Sequence, residues 1–138
     1  MPPYEHKVLS EHDSTVYAVA HAPDGKTFAT ADTEGKRTLL WDAATHELRQ
    51  VFKEDGHGRV YGVDISSDGK LVATADYDNN CAYTWSHETG KLLQIFKGHI
   101  GGVWDVAFSP DSSKLMTGAW DCTAKVWDAA TGKCRLTL

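Results

Sequence analysis

The sequence lacks any apolar run of the ~18 residues that a membrane-spanning helix requires, so we do not expect a membrane protein. It also lacks a basic surplus, because its formal net charge at pH 7 is -5. Proteins that bind the phosphate backbone of nucleic acids carry basic patches, so the charge argues against a nucleic-acid partner and is compatible with basic ones. The N-terminal segment shows no charged stretch followed by an apolar one, so we do not expect a secretory signal.

Cysteine is sparse, and the three that occur (Cys81, Cys122 and Cys134) form no CxxC arrangement. Reduced thiols in a cytoplasmic or nuclear protein are the simplest interpretation. The seven histidines are scattered, and no pair of them has the spacing of zinc ligands. We therefore expect no metal and no cofactor.

What the sequence does contain is an internal repeat. Its apolar content of 41% and charged content of 24% are ordinary for a globular protein. Three similar units cover residues 10–52, 53–96 and 97–138, and each has a valine near its start and a tryptophan towards its end. The period lies in the low forties, which is typical of one propeller blade per repeat.

Each unit is predicted to form four short strands. In the third unit these are VWDVAF (103–108), KLMTGA (114–119), TAKVWD (123–128) and KCRLTL (133–138). Runs of this length that are rich in β-branched and aromatic residues and separated by Asp, Gly, Pro and Ser indicate hairpins. No segment keeps a helical period, so the fold class is all-β. Residues 4–9 align with the fourth strand of each unit and predict one extra strand.

The third unit carries Gly98-His99 at its head, Ser-Pro-Asp at 109–111 and Trp127-Asp128 at its end. With three aligned copies, the chain resembles the WD-repeat (WD40) β-propeller family over nearly its whole length. The resemblance implies four-stranded antiparallel blades in a partial or oligomer-completed propeller. It also implies a non-catalytic scaffold for protein–protein interaction, as a subunit or fragment of a multiprotein assembly.

In that family each blade is held by a hydrogen-bonded chain from Trp through Thr and His to an acid in the second hairpin turn. The resemblance assigns this chain to Trp127, Thr117, His99 and Asp121 in the third unit; Trp85, Thr74, His57 and Asp78 in the second; and Trp41, Thr30, His12 and Glu34 in the first. His57 is one position out of register, and Glu34 replaces an aspartate. We therefore expect the first two units to be less rigid than the third.

Aromatic residues recur at two positions that the resemblance places around the mouth of the central channel. Tyr17, Tyr61 and Trp104 follow the strand-opening valines, and Tyr77 and Trp120 precede the turn acids. Turns favour small or polar residues, so the aromatic turn residues have no obvious folding role.

Together with Arg59, these aromatic residues predict a surface that binds a partner protein. The alternative is that the surface reads an Arg- or Lys-containing peptide by cation–π stacking. For Trp104 a core position remains open, because it shares strand parity with Val106 and Phe108.

Two other interpretations are weaker. The Thr/His/Asp set resembles a hydrolase triad, but it occurs once per unit, and no GxSxG, P-loop or HExxH motif accompanies it, so we do not expect an enzyme. Asp76, Asp78 and Asn80 begin like a calcium loop, but Cys81 and His87 stand where that loop needs Gly and Glu.

Three units fall short of the about four to eight blades with which propellers close. Two open blade faces would remain, and the sequence ends at Leu138 within a predicted strand. Either further blades belong to a longer protein, or copies of the chain associate. The sequence leaves both alternatives open.

Overall fold

The computed structural model describes residues 7–138, which hold twelve β-strands and no helix. The strands are β1 (Val16–His21), β2 (Thr27–Asp32), β3 (Thr38–Asp42), β4 (Leu48–Phe52), β5 (Val60–Ile65), β6 (Leu71–Asp76), β7 (Cys81–Ser86), β8 (Leu92–Lys97), β9 (Val103–Phe108), β10 (Lys114–Ala119), β11 (Ala124–Asp128) and β12 (Cys134–Thr137). Of the predicted extra strand, residues 4–6 lie outside the described residues, and residues 7–9 are in no strand. Within 7–138, no helix could cross a membrane.

The strands form three four-stranded sheets, in the orders β1-β2-β3-β4, β5-β6-β7-β8 and β9-β10-β11-β12, and all neighbours are antiparallel. We call these sheets the first, middle and third blades. This confirms the predicted all-β class with four strands per unit.

The first hairpin turn of each blade follows from its sequence. An aspartate in that turn accepts a hydrogen bond from the backbone amide two residues later, as Asp24 does from Lys26 at 2.9 Å. The residue directly after this aspartate has a positive φ, which Gly25 and Gly69 adopt without steric cost. In the third blade Ser112 takes this conformation, and its hydroxyl lies 2.7 Å from that of Ser67 in the middle blade.

The blades stack face to face, with β5 packed against β1 on one side and against β9 on the other. At each interface small residues of one blade meet large residues of the next. Ala29 and Ala31 belong to the same buried cluster as Trp85, and Ala73 and Ala75 to that of Trp127. Alanines leave room for the large rings, so the blades approach closely and form an open, partial propeller.

The middle blade is covered on both faces, and the other two are covered on one. In β6 every residue after Leu71 is buried. By contrast, Val19 on the first blade is 68% exposed, and Met116 on the third is 45% exposed. The two end faces are therefore partly apolar and open to solvent.

Candidate functional site

The innermost strand of each blade contains a β-bulge, and in all three blades the extra residue is aromatic. The ladder pairs Val16 and Ala18 with successive residues of β2, which leaves Tyr17 without a partner. The same shift leaves Tyr61 unpaired in β5 and Trp104 unpaired in β9. A bulge turns its extra residue away from the regular alternation of side chains. The directions of these aromatic side chains are therefore set by the bulge in the hydrogen-bonded ladder of each blade.

The bulge also decides the position of Trp104. Without it, Trp104 would share a face with Val106, which is 4% exposed. Trp104 is instead 41% exposed. The interpretation of Trp104 as a core residue is therefore corrected, because strand parity does not continue across the bulge.

The three blades bring the aromatic residues into one continuous cluster. Tyr61 lies at its centre, with ring centroids 4.8 Å from Tyr17, 5.2 Å from Tyr77 and 4.3 Å from Trp104. Trp104 in turn lies 6.0 Å from Trp120 at an interplanar angle of 63°. We call these five residues the aromatic cluster. The Tyr61–Trp104 pair is tilted, and the other three pairs are edge-to-face, an arrangement that aromatic rings favour.

The two ends of the cluster face solvent. Tyr17 is 58% and Trp120 is 62% exposed, whereas Tyr61 and Tyr77 are half-buried. Beside the tryptophans runs a groove of about 470 Å³, and Trp104, Asp105, Gly118 and Trp120 contribute to its lining. The cluster is thus a contiguous, partly exposed aromatic surface.

Arg59 already occupies one part of the cluster. Its guanidinium carbon lies 5.0 Å from the centroid of Tyr77 and 6.0 Å from that of Tyr61. The guanidinium donates hydrogen bonds to Asp78, the shortest at 2.6 Å. This contact lowers the pKa of the Asp78 carboxyl and raises that of Arg59. Asp78 therefore serves as the counter-ion of Arg59 and not as part of a chain to Trp85.

The third blade contains a continuous hydrogen-bonded chain in its interior. The Trp127 indole donates to the Thr117 hydroxyl at 2.8 Å, which lies 2.7 Å from Nε2 of His99. Nδ1 of His99 lies 2.7 Å from Asp121. Burial raises the pKa of the Asp121 carboxyl, but hydrogen bonds from Thr123, His99 and backbone amides lower it by more. The pKa of Asp121 therefore lies well below its ordinary value.

The first blade has a similar chain, but its acid is Asp32 and not Glu34. The Trp41 indole donates to Thr30 at 2.8 Å; His12 contacts Thr30 through Nε2 and Asp32 through Nδ1, the latter at 2.7 Å. Asp32 ends β2 and is fully buried, whereas Glu34 lies in the exposed turn. Because the strand end already supplies a carboxylate beside the histidine, Glu34 has no part in this chain.

In the middle blade the chain stops after its first link. The Trp85 indole donates to Thr74 at 3.0 Å, but Nδ1 of His57 accepts from the amide of Glu54, and its ring lies 4.2 Å from that of Tyr83. Burial is the main cause of a lowered pKa for His57. His57, which is one position out of register in the sequence, thus contacts Glu54 and Tyr83 and not Thr74.

Asp76 is the buried acid of the middle blade, and our sequence assignment missed it. Its carboxylate accepts from the amide of Gly58 at 2.8 Å, from the side chain of Asn79 at 2.8 Å and from the Tyr83 hydroxyl at 3.3 Å. The signal was available, because the first two units share the tetrapeptide Ala-Thr-Ala-Asp at 29–32 and 73–76, which the third lacks.

The described residues 7–138 contain no group of three or more His, Cys, Asp or Glu side chains arranged to hold a metal ion. Asp76 and Asp78, the first and third positions of the weak calcium pattern, are engaged by protein donors as described above. The three cysteines are free thiols, with Cys81 buried and Cys122 and Cys134 exposed.

Comparison with known proteins identifies related sequences and folds. The family model described as "WD domain, G-beta repeat" matches residues 4–42, 47–83 and 90–128. WD repeat-containing protein 1 of Gallus gallus is 31% identical over 128 residues, which are 92% of this chain and 14% of that protein. Actin-interacting protein 1 of Drosophila melanogaster is 34% identical over 127 residues, 91% of this chain and 14% of that protein. The chain therefore spans about a seventh of the length of these relatives.

A shorter match has higher identity. Eukaryotic translation initiation factor 3 subunit I of Caenorhabditis briggsae is 49% identical over 41 residues, 30% of this chain and 12% of that protein. Among solved structures, one described as "Structure of U3-55K" superimposes with a TM-score of 0.88 at 26% identity, over 96% of this chain and 41% of that one. The three-blade arrangement is thus similar to part of a known larger domain.

Proposed function

Since this chain belongs to the WD40 repeat family, whose members generally act as protein-interaction scaffolds and not as catalysts, we propose that it binds a partner protein through its aromatic cluster. It acts as a non-catalytic component of a multiprotein assembly in the cytoplasm or nucleus. The observation that carries this proposal is the convergence of five aromatic rings from three blades on one partly exposed surface.

The exposure of the cluster supports a binding role. Trp120 occupies a turn and is 62% exposed, so burial of its indole contributes little to folding. Clustered tryptophan and tyrosine side chains are also the residues that most often dominate the free energy of protein association. Because the rings pack on one another, their side chains are already ordered before binding. This reduces the conformational entropy that is lost when a partner binds.

The names of the relatives support membership of an assembly. One is named as a subunit of a translation initiation factor, and another is named for its interaction with actin. Those names describe proteins of which this chain matches only a fraction, so we propose for this chain the general role and not their partners.

A basic peptide is the partner segment that we favour. Arg59 supports this choice, because its guanidinium carbon lies over these rings, 5.0 Å from the centroid of Tyr77. The net charge of -5 also favours basic over acidic partners.

The hydrogen-bonded chains support a structural role for the groups that resemble a catalytic triad. Thr117 is 2% and His99 is 6% exposed, and the two are bonded to each other. A nucleophile and base buried in this way have no path to a substrate, which favours a scaffold over an enzyme.

The test is a quantitative affinity capture with the Tyr17→Ser, Trp120→Ser double variant. We expect proteins captured reproducibly by the wild-type chain to be lost, because the exposed ends of the cluster are removed. Leu93→Ser is the matched control, since Leu93 is 54% exposed on the edge strand β8. Equal capture by the double variant, with its circular dichroism unchanged, would contradict the proposal.

A further inference from the structure

The middle and third blades contain equivalent aromatic pairs, and these can be compared directly. Tyr61 and Tyr77 lie 5.2 Å apart at 75°, and Trp104 and Trp120 lie 6.0 Å apart at 63°. Each pair joins the bulge residue of the innermost strand to the turn residue before an aspartate. The surroundings of the tyrosine pair can therefore be compared with those of the tryptophan pair.

In the middle blade a guanidinium lies over the pair, whereas no arginine or lysine within residues 7–138 lies over the pair of the third blade. Arg59 precedes Val60 at the start of β5, and the equivalent residue before Val103 is Gly102. A Cβ at Gly102 would lie 2.4 Å from Cδ2 of Tyr77, so no side chain can extend from this position without displacing that ring. Among residues 7–138, the tryptophan pair therefore lacks the cation that Arg59 supplies in the middle blade, because Gly102 has no room for a side chain.

The third blade also has a carboxylate that the middle blade lacks. Asp105 follows Trp104, whereas the equivalent residue after Tyr61 is Gly62. Asp105 is exposed and lines the groove beside both tryptophans. Its Oδ1 accepts a hydrogen bond from the amide of Val106 at 2.9 Å, and no hydrogen bond within residues 7–138 engages Oδ2.

Asp121 does not provide the counter-ion that Asp78 provides for Arg59. Its Oδ2 contacts His99 and accepts from the amide of Ile100, and its Oδ1 accepts from the hydroxyl and the amide of Thr123. Both oxygens are therefore committed within the blade. Among the residues that line the groove, Asp105 is the one that carries a carboxylate.

We infer that the groove beside Trp104 and Trp120 binds the guanidinium of an arginine side chain of the partner, with Asp105 as its counter-ion. This inference rests on the proposed function and specifies its ligand. Arginine is favoured over lysine because a planar guanidinium stacks on an indole and presents two parallel N–H donors to a carboxylate. In this arrangement the partner supplies to the third blade the group that Arg59 supplies to the middle blade.

The experiment follows the tryptophan indole N–H signals by NMR during titration with N-acetyl-arginine amide. The indoles of Trp41, Trp85 and Trp127 are buried and donate to threonines inside the blades, so they serve as internal references. We expect saturable shifts at Trp104 and Trp120 and none at the other three. Under the same conditions N-acetyl-lysine amide should bind several-fold more weakly.

Two variants test the counter-ion and the internal comparison. Asp105→Asn should weaken binding of the arginine probe about tenfold, because a charge-assisted contact is lost. Asp55→Asn, at an exposed acid outside the groove lining, should leave it unchanged. Arg59→Ala should create a second site for the probe between Tyr77 and Asp78.

The outcomes separate this inference from the proposed function. Absence of saturable shifts at Trp104 and Trp120, or equal binding by the Asp105→Asn variant, overturns the arginine site. If protein capture still depends on Tyr17 and Trp120 in that case, the aromatic cluster remains a binding surface for another kind of segment. If instead the arginine probe binds while capture is indifferent to those residues, the proposed function fails and the groove binds arginine alone.

Discussion

The middle and third blades have the same four-stranded topology but stabilise their interiors in different ways. In the third, Trp127, Thr117, His99 and Asp121 are joined by hydrogen bonds. In the middle blade the equivalent histidine packs against aromatic rings, 4.2 Å from Tyr83 and 4.9 Å from Trp85. The comparison shows that a blade with both faces covered can replace part of a polar network by packing.

The same contrast occurs at the outer edge of the blades. Asp42 pairs with Arg49 in the first blade, and Asp128 lies 3.5 Å from Arg135 in the third. In both, the arginine is the extra residue of a bulge in the outermost strand. The middle blade has Ser86 and Leu93 at these positions, so both members of the ion pair are replaced together.

The largest expected effect distinguishes the two histidines. His99→Phe should lower the free energy of unfolding by about 1–3 kcal/mol, because the Thr117 hydroxyl and the Asp121 carboxylate each lose the hydrogen bond to the imidazole that links them. His57→Phe keeps an aromatic ring against Tyr83 and should change the free energy by less than about 0.5 kcal/mol. Urea denaturation of both variants measures the difference. Equal losses would show that the two histidines have the same role.

A smaller effect should follow from giving the middle blade the ion pair of its neighbours. The double substitution Ser86→Asp, Leu93→Arg should raise the free energy of unfolding by about 0.2–1 kcal/mol, the range of exposed ion pairs. A double-mutant cycle with the two single variants isolates the interaction. Asp128→Ser with Arg135→Leu in the third blade is the matched reverse control. A coupling energy of zero in both cycles would mean that these pairs do not contribute.

The smallest effect is local and depends on pH. The backbone amide of Thr45, with further help from Ala44 and Arg49, lowers the pKa of Asp42 from 3.8 to about 2. Because the folded pKa is depressed, the stabilisation of this turn is complete above 3.8 and is lost as the pH falls through about 2. In the middle blade the hydroxyl of Ser86 accepts from the amide of Thr89 at 3.2 Å and does not titrate in this range.

Hydrogen exchange, corrected for intrinsic rates, should therefore show that the backbone amide of Thr45 loses protection as the pH falls from 4 to 2. The protection of the Thr89 amide should stay unchanged. A parallel loss at both amides would indicate general acid unfolding and would contradict the assignment to Asp42. The range ends where the Asp42 carboxyl is half protonated, so only part of the loss is expected.

Much of the fold could be predicted from local sequence alone. The predicted strands 103–108 and 114–119 coincide with β9 and β10, and 123–128 and 133–138 differ from β11 and β12 by one residue at each shifted end. Strand and turn propensities act over a few residues, so each repeat carries this information independently.

The acid in the first blade could not be assigned by alignment with the third. Glu34 occupies the aligned position, but the turn of the first blade places it in solvent, while Asp32 at the end of β2 is buried beside His12. Which carboxylate reaches the histidine depends on the path of a loop between strands. An aligned position specifies only the order of residues and not that path.

The sequence by itself determined that there are three units of four strands, because apolar alternation and turn residues act within each unit. Only the tertiary structure decided that Tyr17, Tyr61 and Trp104, one from each unit, touch in a single cluster. Their proximity depends on how the sheets stack and on three bulges that turn the rings out of the ladders. The stacking results from contacts between strands of different units, which no pattern within one unit records.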